Sequence, residues 1–256
     1  MFKAIRISIL LFILVFVVLS SVLTQARSTD WNNSLWIKVY PINGDGSSEA
    51  TQYIKSLKVT DFDGIEKFLT RETERYGRNI ARPVRLELGD EIDEQPPKLD
   101  KNPNMLSVMK WSLKMRWWSG SATDLQDDIE PDVKIFVRYH KPDFAVVLEN
   151  SVGLQKGMVG IVNGFASRQY RGVNNLIIAH EFLHTLGASD KYDAANGQPL
   201  GPDGIAEPDR KPLYPQRYAE IMGGRIALAE NDAVIPKTLK YAVIGPKTAS
   251  EINLTD

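Results

Sequence analysis

The stretch Ile177-Ile178-Ala179-His180-Glu181-Phe182-Leu183-His184-Thr185-Leu186-Gly187-Ala188-Ser189-Asp190 decides how the rest of the chain is interpreted. Its apolar residues recur at helical spacing, so we expect an amphipathic helix. His180 and His184 lie on one face of that helix, because four residues make little more than one turn. Two neutral imidazoles at this spacing can share one tetrahedral zinc ion, with Glu181 beside them as a candidate base for a water molecule.

The end of the predicted helix adds a third candidate ligand. Gly187 can adopt a left-handed conformation, which ends a helix and turns the chain sharply. Asp190 follows three residues later and is placed to return toward the histidines as the third ligand. Asp193 and Glu207 remain rivals for that position, although Pro208 directly after Glu207 disfavours a helical ligand there.

Chance does not readily account for this pattern. The chain has only 3 histidines, and two of them fall in this arrangement. The surrounding residues are apolar, so the imidazoles are expected to be partly buried, where an unpaired polar group is costly. The sequence therefore predicts a zinc site.

The motif His180-Glu181-x-x-His184-x-x-Gly187-x-x-Asp190 resembles the extended zinc-binding motif of the metzincin metallopeptidases. Most of that clan has a third histidine at the last position, and Asp190 matches the aspartate variant of snapalysin-type enzymes. The clan also has a methionine in a tight turn beneath the metal. Met222, in Glu220-Ile221-Met222-Gly223-Gly224, is the natural candidate for that methionine, and the two glycines favour a turn.

This resemblance implies an α+β, zincin-like fold. A twisted mixed sheet with packed helices would form an upper lobe over residues 35–187, ending in the active-site helix, and residues 188–256 would form a small irregular lower lobe. The implied activity is a zinc-dependent endopeptidase with Glu181 as general base and a peptide or protein as substrate. In the clan, an extended substrate pairs with the sheet edge at the cleft, which the resemblance assigns to the segment 157–163.

A tyrosine stabilises the oxyanion in some metzincins. The resemblance therefore makes Tyr218, shortly before the predicted turn, the leading candidate for that role, with Tyr214 and Tyr192 as alternatives. Tyrosines at such positions also serve simply as packing residues.

The beginning of the chain has the pattern of an export signal. Lys3 and Arg6 precede an apolar run from Ile7 to Leu23, which is typical of a secretory signal peptide. Thr24-Gln25-Ala26 is an imperfect cleavage site, and the run is nearly long enough for a single transmembrane anchor instead. We expect residues 1–26 to be a signal peptide or anchor, 27–34 a tether and 35–256 the metallopeptidase domain. The protein would be secreted, periplasmic, at the cell surface or anchored, and would contact a membrane only through this segment.

Composition excludes several other classes. The chain has 31 basic and 32 acidic residues, a balance that gives no reason to expect a nucleic-acid partner. A hydrophobic share of 43% is that of an ordinary globular protein. With no cysteine, an exported fold must rely on its core rather than on disulfides.

Periodicity predicts strands and helices in alternation before the zinc-site helix. Strands are expected at 35–42, 82–88, 132–140, 144–148 and 158–163, with a glycine-bearing turn between the last two, and helices from 60 or 61 to 76 and over 104–118. The stretch 191–211 is expected to be a loop, with a calcium site (Ca²⁺) as a weaker alternative based on its oxygen-bearing side chains, which are Asp193, Asn196, Asp203, Glu207 and Asp209. His140, at the end of a strand, is expected to be structural.

Two functions from other classes also remain open. One is an exported binding module with structural zinc, which the absence of cysteine disfavours because structural sites usually use four Cys or His ligands. The other is a catalytically silent, metzincin-like interaction protein. Glu181 disfavours that reading, because the residue is useful mainly for chemistry.

Overall fold

The fold is built on a five-stranded sheet. A computed structural model describes residues 6–7, 11–12, 15, 29–99, 104–123, 129–143 and 151–255. The strands of the chain are β1 (Leu35–Asn43), β2 (Val84–Leu88), β3 (Val133–His140), β4 (Val152–Leu154), β5 (Val159–Phe165), β6 (Ala219–Glu220), β7 (Ile226–Ala229), β8 (Asp232–Val234) and β9 (Ala242–Val243). The helices are α1 (Ser48–Ser56), α2 (Asp63–Arg75), α3 (Met105–Thr123), α4 (Arg171–Leu186) and α5 (Pro246–Glu251).

The sheet is mostly parallel. Its order is β2-β1-β3-β5-β4, in which β1 pairs in parallel with β2 and β3, and β5 in parallel with β3. Only β4 is antiparallel, to β5. A mixed sheet with packed helices agrees with the predicted α+β class.

Both faces of the sheet are covered, as expected for parallel strands. Along β1, Ile37 and Val39 face the core that includes α1, α2 and α4. Tyr40 and Ile42 point to the opposite face, where they pack with the buried side of α3. Helix α4, which carries His180 and His184, and helix α3 therefore lie on opposite sides of the sheet.

The part of the chain after α4 consists of short elements that are attached to α2 by a buried carboxylate. Strand β6 pairs with β9, and β7 pairs with β8. Glu72 is fully buried, and its carboxylate accepts a hydrogen bond of 2.9 Å from the backbone N–H of Ile244 while it pairs with the half-exposed side chains of Arg71 and Arg75. These contacts fix the chain around β9 against the N-terminal half of the fold.

Most of the predicted elements are present with small changes at their ends. A 3-10 turn (Val59–Phe62) precedes α2, and α3 continues to Thr123, beyond the predicted end at Trp118. The predicted strand 144–148 and most of the predicted export segment lie outside the described residues. Among the described residues, no helix is both long and apolar enough to cross a membrane.

Two local predictions are wrong. The segment between Leu148 and Met158 was expected to be a turn, but it contains the short strand β4. Because β4 occupies the outer position in the sheet, the segment 157–163 is not an edge: its strand β5 is enclosed by β3 and β4. Helix α1 (Ser48–Ser56) is present in addition to the predicted helices. Its first turn is capped by the side chain of Ser47, which accepts from the N–H of Ala50.

We expect Glu72→Ala to lower the free energy of unfolding by about 2 to 3 kcal/mol, because it leaves the buried N–H of Ile244 without an acceptor. Urea unfolding followed by circular dichroism measures this change. Glu74→Ala on the exposed side of the same helix is the matched control, with an expected change below about 0.5 kcal/mol. Equal stability of the two variants would show that Glu72 does not attach the C-terminal part.

Candidate metal centre

Helix α4 carries the His-Glu-x-x-His motif and ends where the sequence predicts. Its buried residues pack against the sheet, and the chain leaves the helix at Gly187, whose φ of 111° is left-handed. The N–H of Gly187 donates to the carbonyl of His184, and the N–H of Ala188 donates to that of Leu183. This left-handed ending turns the chain back toward the histidines.

Each histidine of the motif donates one ring N–H to a backbone carbonyl. His180 Nδ1 lies 2.9 Å from the carbonyl oxygen of Ile221, and His184 Nδ1 lies 2.7 Å from that of Ala188. A carbonyl oxygen can only accept, so the hydrogen must be on Nδ1 in both rings. In the neutral imidazoles, the Nε2 atoms therefore carry lone pairs and no hydrogen. Metal-binding histidines are typically held by the same kind of contact.

The two Nε2 atoms converge with a carboxylate oxygen. They lie 3.1 Å apart, and each lies 3.1 Å from Asp190 Oδ1. Three lone-pair donors around one point repel each other unless a cation lies between them. Tetrahedral zinc, with bonds of about 2.0 to 2.1 Å, requires ligand atoms about 3.3 Å apart. The side chains of His180, His184 and Asp190 thus fit a small divalent metal ion.

Asp190 is held in place by the hydrogen bonds of its two neighbours. The N–H of Ser189 donates to Glu251 Oε2 at 2.9 Å, and the N–H of Lys191 donates to the carbonyl of Met222 at 3.0 Å. The buried ammonium of Lys191 pairs with the same Glu251 carboxylate at 2.8 Å. Burial acts to raise the pKa of Asp190, but the imidazoles of His180 and His184, when they carry a proton on Nε2, outweigh it and hold the pKa well below its usual value.

The two rival carboxylates have other partners. Asp193 Oδ1 accepts from the N–H of Ala195 in its own turn. Glu207 accepts from the backbone N–H and the guanidinium of Arg217. The structure therefore brings Asp190 to the histidines, and it places Asp193 and Glu207 in local contacts of the loop. The calcium site remains a prediction.

Glu181 lies beside the converging atoms and is almost fully buried. Its Oε2 has no hydrogen-bond partner among the described residues. Burial raises the pKa of its carboxyl group, and this effect outweighs the nearby imidazoles and the backbone amide of Gly153, which act in the opposite direction. A buried carboxylate with a vacant acceptor and a raised pKa is suited to receive a proton from a water molecule. The ligand atoms of His180, Glu181 and His184 also lie within 4.8 Å of one another, so the Glu181 carboxylate is within reach of a metal ion held by the two histidines, although Asp190 Oδ1 is the carboxylate oxygen that lies 3.1 Å from both Nε2 atoms.

Strand β4 covers this part of the helix at very close range. A Cβ atom added to Gly153 would lie 2.5 Å from both the carbonyl oxygen of Glu181 and the Cβ of His184. Only glycine allows the backbone to approach this closely. The edge of the sheet therefore borders the candidate metal centre directly.

The turn that contains Met222 lies on the other side of His180. The N–H groups of Gly223 and Gly224 both donate to the carbonyl of Glu220, and Met222 is fully buried in the core shared with α4. The buried Glu220 carboxylate accepts from Gly223 N, Gly245 N and Thr248 Oγ1, and burial raises its pKa. These contacts fix the turn that presents the carbonyl of Ile221 to His180.

Tyr192, one of the alternative tyrosines, lies near the imidazoles. The ring of Tyr192 lies 6.3 Å from that of His180, and burial together with the charge of Asp190 raises its pKa. Tyr218, the favoured oxyanion stabiliser, packs its ring under the guanidinium of Arg217 and is 37% exposed.

The third histidine, His140, lies in other contacts. His140 contacts Asn163 Oδ1 at 3.2 Å and packs against Gly44.

Sequence reasoning missed the groups that orient the ligands. The carbonyls of Ile221 and Ala188 have no signature in the sequence, because every residue has a carbonyl. Glu251 lies 61 positions after Asp190, and only the fold brings it to the ligand loop.

No protein-family model matches the chain, and no curated protein matches it significantly. Assignment of function therefore depends on this geometry and on the motif.

We expect Glu251→Gln to weaken metal binding by about 10- to 100-fold, because it removes the charge that holds Lys191 and loosens the backbone around Asp190. Competition with a chromogenic chelator measures the affinity. Glu230→Gln, at an exposed position, is the control and should bind metal as the unmodified chain does. Unchanged affinity in Glu251→Gln would mean that the Asp190 loop does not need this clamp.

Proposed function

We propose that the protein is a zinc-dependent endopeptidase of metzincin-like type. The observation that carries the proposal is the convergence of His180 Nε2, His184 Nε2 and Asp190 Oδ1, without a hydrogen between them, next to the unpartnered Oε2 of Glu181. The zincin-like fold and the role of Met222 are part of the same proposal, which draws on the resemblance of the motif.

The ligand set favours zinc and a catalytic site. Two imidazoles and one carboxylate are a known catalytic zinc set, in which three protein ligands leave the fourth position for water or substrate. A structural site would be closed by a fourth protein ligand. The chain has no cysteine, and its remaining histidine, His140, contacts Asn163 and Gly44 instead.

A bound zinc ion supplies Lewis acidity, which makes a water molecule more acidic and polarises the carbonyl of the scissile bond. Glu181 accepts the proton of the attacking water at Oε2, the atom that is free to receive it. It then delivers that proton to the nitrogen of the leaving amine. The proposed oxyanion tyrosine is Tyr192, and the proposal is supported by the distance of 6.3 Å between its ring and that of His180.

The proposed substrate is an extended peptide that pairs with strand β4. Substrate pairing was expected at 157–163, but the outer strand of the sheet at this end is Val152–Leu154. This strand also lies against the helix residues Glu181 and His184, so we propose that the substrate pairs with it. An outer strand can offer backbone groups to an added strand, which is the basis for placing the substrate here. We propose an exported location for this activity, based on the predicted N-terminal segment.

A catalytically silent, metzincin-like interaction protein is the alternative. Such a protein would hold zinc with the same three ligands, but it would not need the Glu181 carboxylate, whose Oε2 has no hydrogen-bond partner among the described residues. The two proposals differ in whether the zinc-loaded chain hydrolyses peptides in a way that a chelator stops.

We expect Glu181→Gln to retain zinc and to lose about 100- to 10,000-fold in the rate of peptide hydrolysis, because glutamine has the same size but cannot accept the proton. Digestion of a peptide library, followed by mass spectrometry, measures the rate, and elemental analysis measures zinc. Glu74→Gln, at an exposed position on α2, is the control. Normal cleavage by Glu181→Gln would remove this residue from the mechanism, and a zinc-loaded unmodified chain that cleaves nothing would favour the silent protein.

We expect Asp190→Ala to reduce the zinc content sharply, because it removes one of the three ligands. Asp193→Ala is the matched control, since Asp193 lies in the same loop and accepts only a local hydrogen bond among the contacts described above. Zinc per chain after dialysis is the measurement. Should Asp190→Ala keep its zinc while Asp193→Ala loses it, the third ligand would be Asp193.

A further inference from the structure

Helix α3 is apolar on two opposite sides. One side packs on the sheet through Trp111, Met115 and Trp118. The other side, here called the outer stripe, contains five exposed residues, which are Met105, Leu106, Met109, Leu113 and Trp117. Met105 and Leu106 are adjacent, and from Leu106 onward the spacing is three or four residues. Residues at these spacings lie on one face of a helix. A helix that is apolar all round is normally enclosed on every side.

The outer stripe is exposed to an unusual degree. Met105 is 81% exposed, Leu113 is 63% exposed and Trp117 is 77% exposed. Soluble monomers rarely leave a continuous apolar surface of this kind in water, and such surfaces usually mark a site of protein or membrane contact.

The charges on the helix indicate which partner fits. Between Met105 and Thr123 there is no acidic residue, although the chain as a whole has 32 acidic against 31 basic residues. Lys110 and Lys114 are exposed one turn apart and lie next to the outer stripe on the helix surface. An apolar face with a Trp, bordered by lysines, is typical of a helix that lies in the surface of a membrane with anionic lipids.

A second copy of the chain fits this surface less well. A two-fold symmetric contact through the outer stripes would pair identical surfaces. It would therefore bring the lysines of two cationic helices close together, and like charges facing each other oppose association.

We propose that helix α3 lies in the plane of an anionic lipid bilayer, with its outer stripe among the acyl chains and Lys110 and Lys114 at the headgroups. This contact is separate from the predicted N-terminal segment, which was the only membrane contact expected from the sequence. It is also independent of the proposed peptidase activity. The candidate metal centre lies on the opposite side of the sheet, so the contact would leave helix α4 facing away from the bilayer.

The absence of cysteine makes a direct test available. Leu113→Cys in the full chain is labelled with an environment-sensitive fluorophore and mixed with vesicles of phosphatidylcholine and phosphatidylglycerol that contain lipid spin-labelled in the acyl chain. We expect a blue shift of the emission and quenching of most of the fluorescence. Lys67→Cys is the matched control, because Lys67 is exposed on α2, which packs on the other face of the sheet, and its label should stay in water.

Charge reversal tests the proposed headgroup contact. Lys110→Glu with Lys114→Glu, in the Leu113→Cys background, should abolish the blue shift and the quenching. If the protein binds the vesicles but the label at position 113 shows neither the blue shift nor the quenching, the proposal is overturned. A label that is already shielded without vesicles would also overturn it, by showing that a second copy or another segment of the chain covers the stripe.

Discussion

The arrangement of the candidate metal centre depends on two hydrogen bonds from histidine rings to backbone carbonyls. They fix the hydrogens on Nδ1 of His180 and His184, so that both Nε2 atoms present lone pairs to Asp190 Oδ1. Such an arrangement is unfavourable on its own and becomes favourable when a cation lies among the three atoms. The surrounding fold holds the carbonyls of Ile221 and Ala188 and the carboxylate of Asp190 in place.

Three separate parts of the chain supply that support. The left-handed end of α4 provides the carbonyl of Ala188, and the turn fixed by the buried Glu220 provides the carbonyl of Ile221. The pair formed by Lys191 and Glu251 holds the loop that carries Asp190. Since Glu72 attaches the C-terminal elements to α2, the geometry of the metal centre is linked to the stability of the whole fold.

The sequence predicted those features that have a local pattern. The helix around His180, its end at Gly187 and the return to Asp190 follow from spacing and from the conformational freedom of glycine, and the strands with alternating residues were found near their observed ends. Strand β4 was missed because three residues are too few to show a period. Tyr192 could be named only as one of three alternatives, because the direction of a tyrosine ring leaves no pattern in the sequence. Glu251 could not be assigned a role in advance, because contacts between distant parts of the chain bring it to the loop of Asp190.

X-ray absorption spectroscopy at the zinc edge of the purified full chain tests the central claim most directly. The account predicts one zinc per chain, with scattering from two imidazoles and from oxygen ligands that include a carboxylate, at distances of about 2.0 to 2.2 Å. A chain that holds no zinc, or a zinc ion with only one imidazole or none among its ligands, would contradict the account.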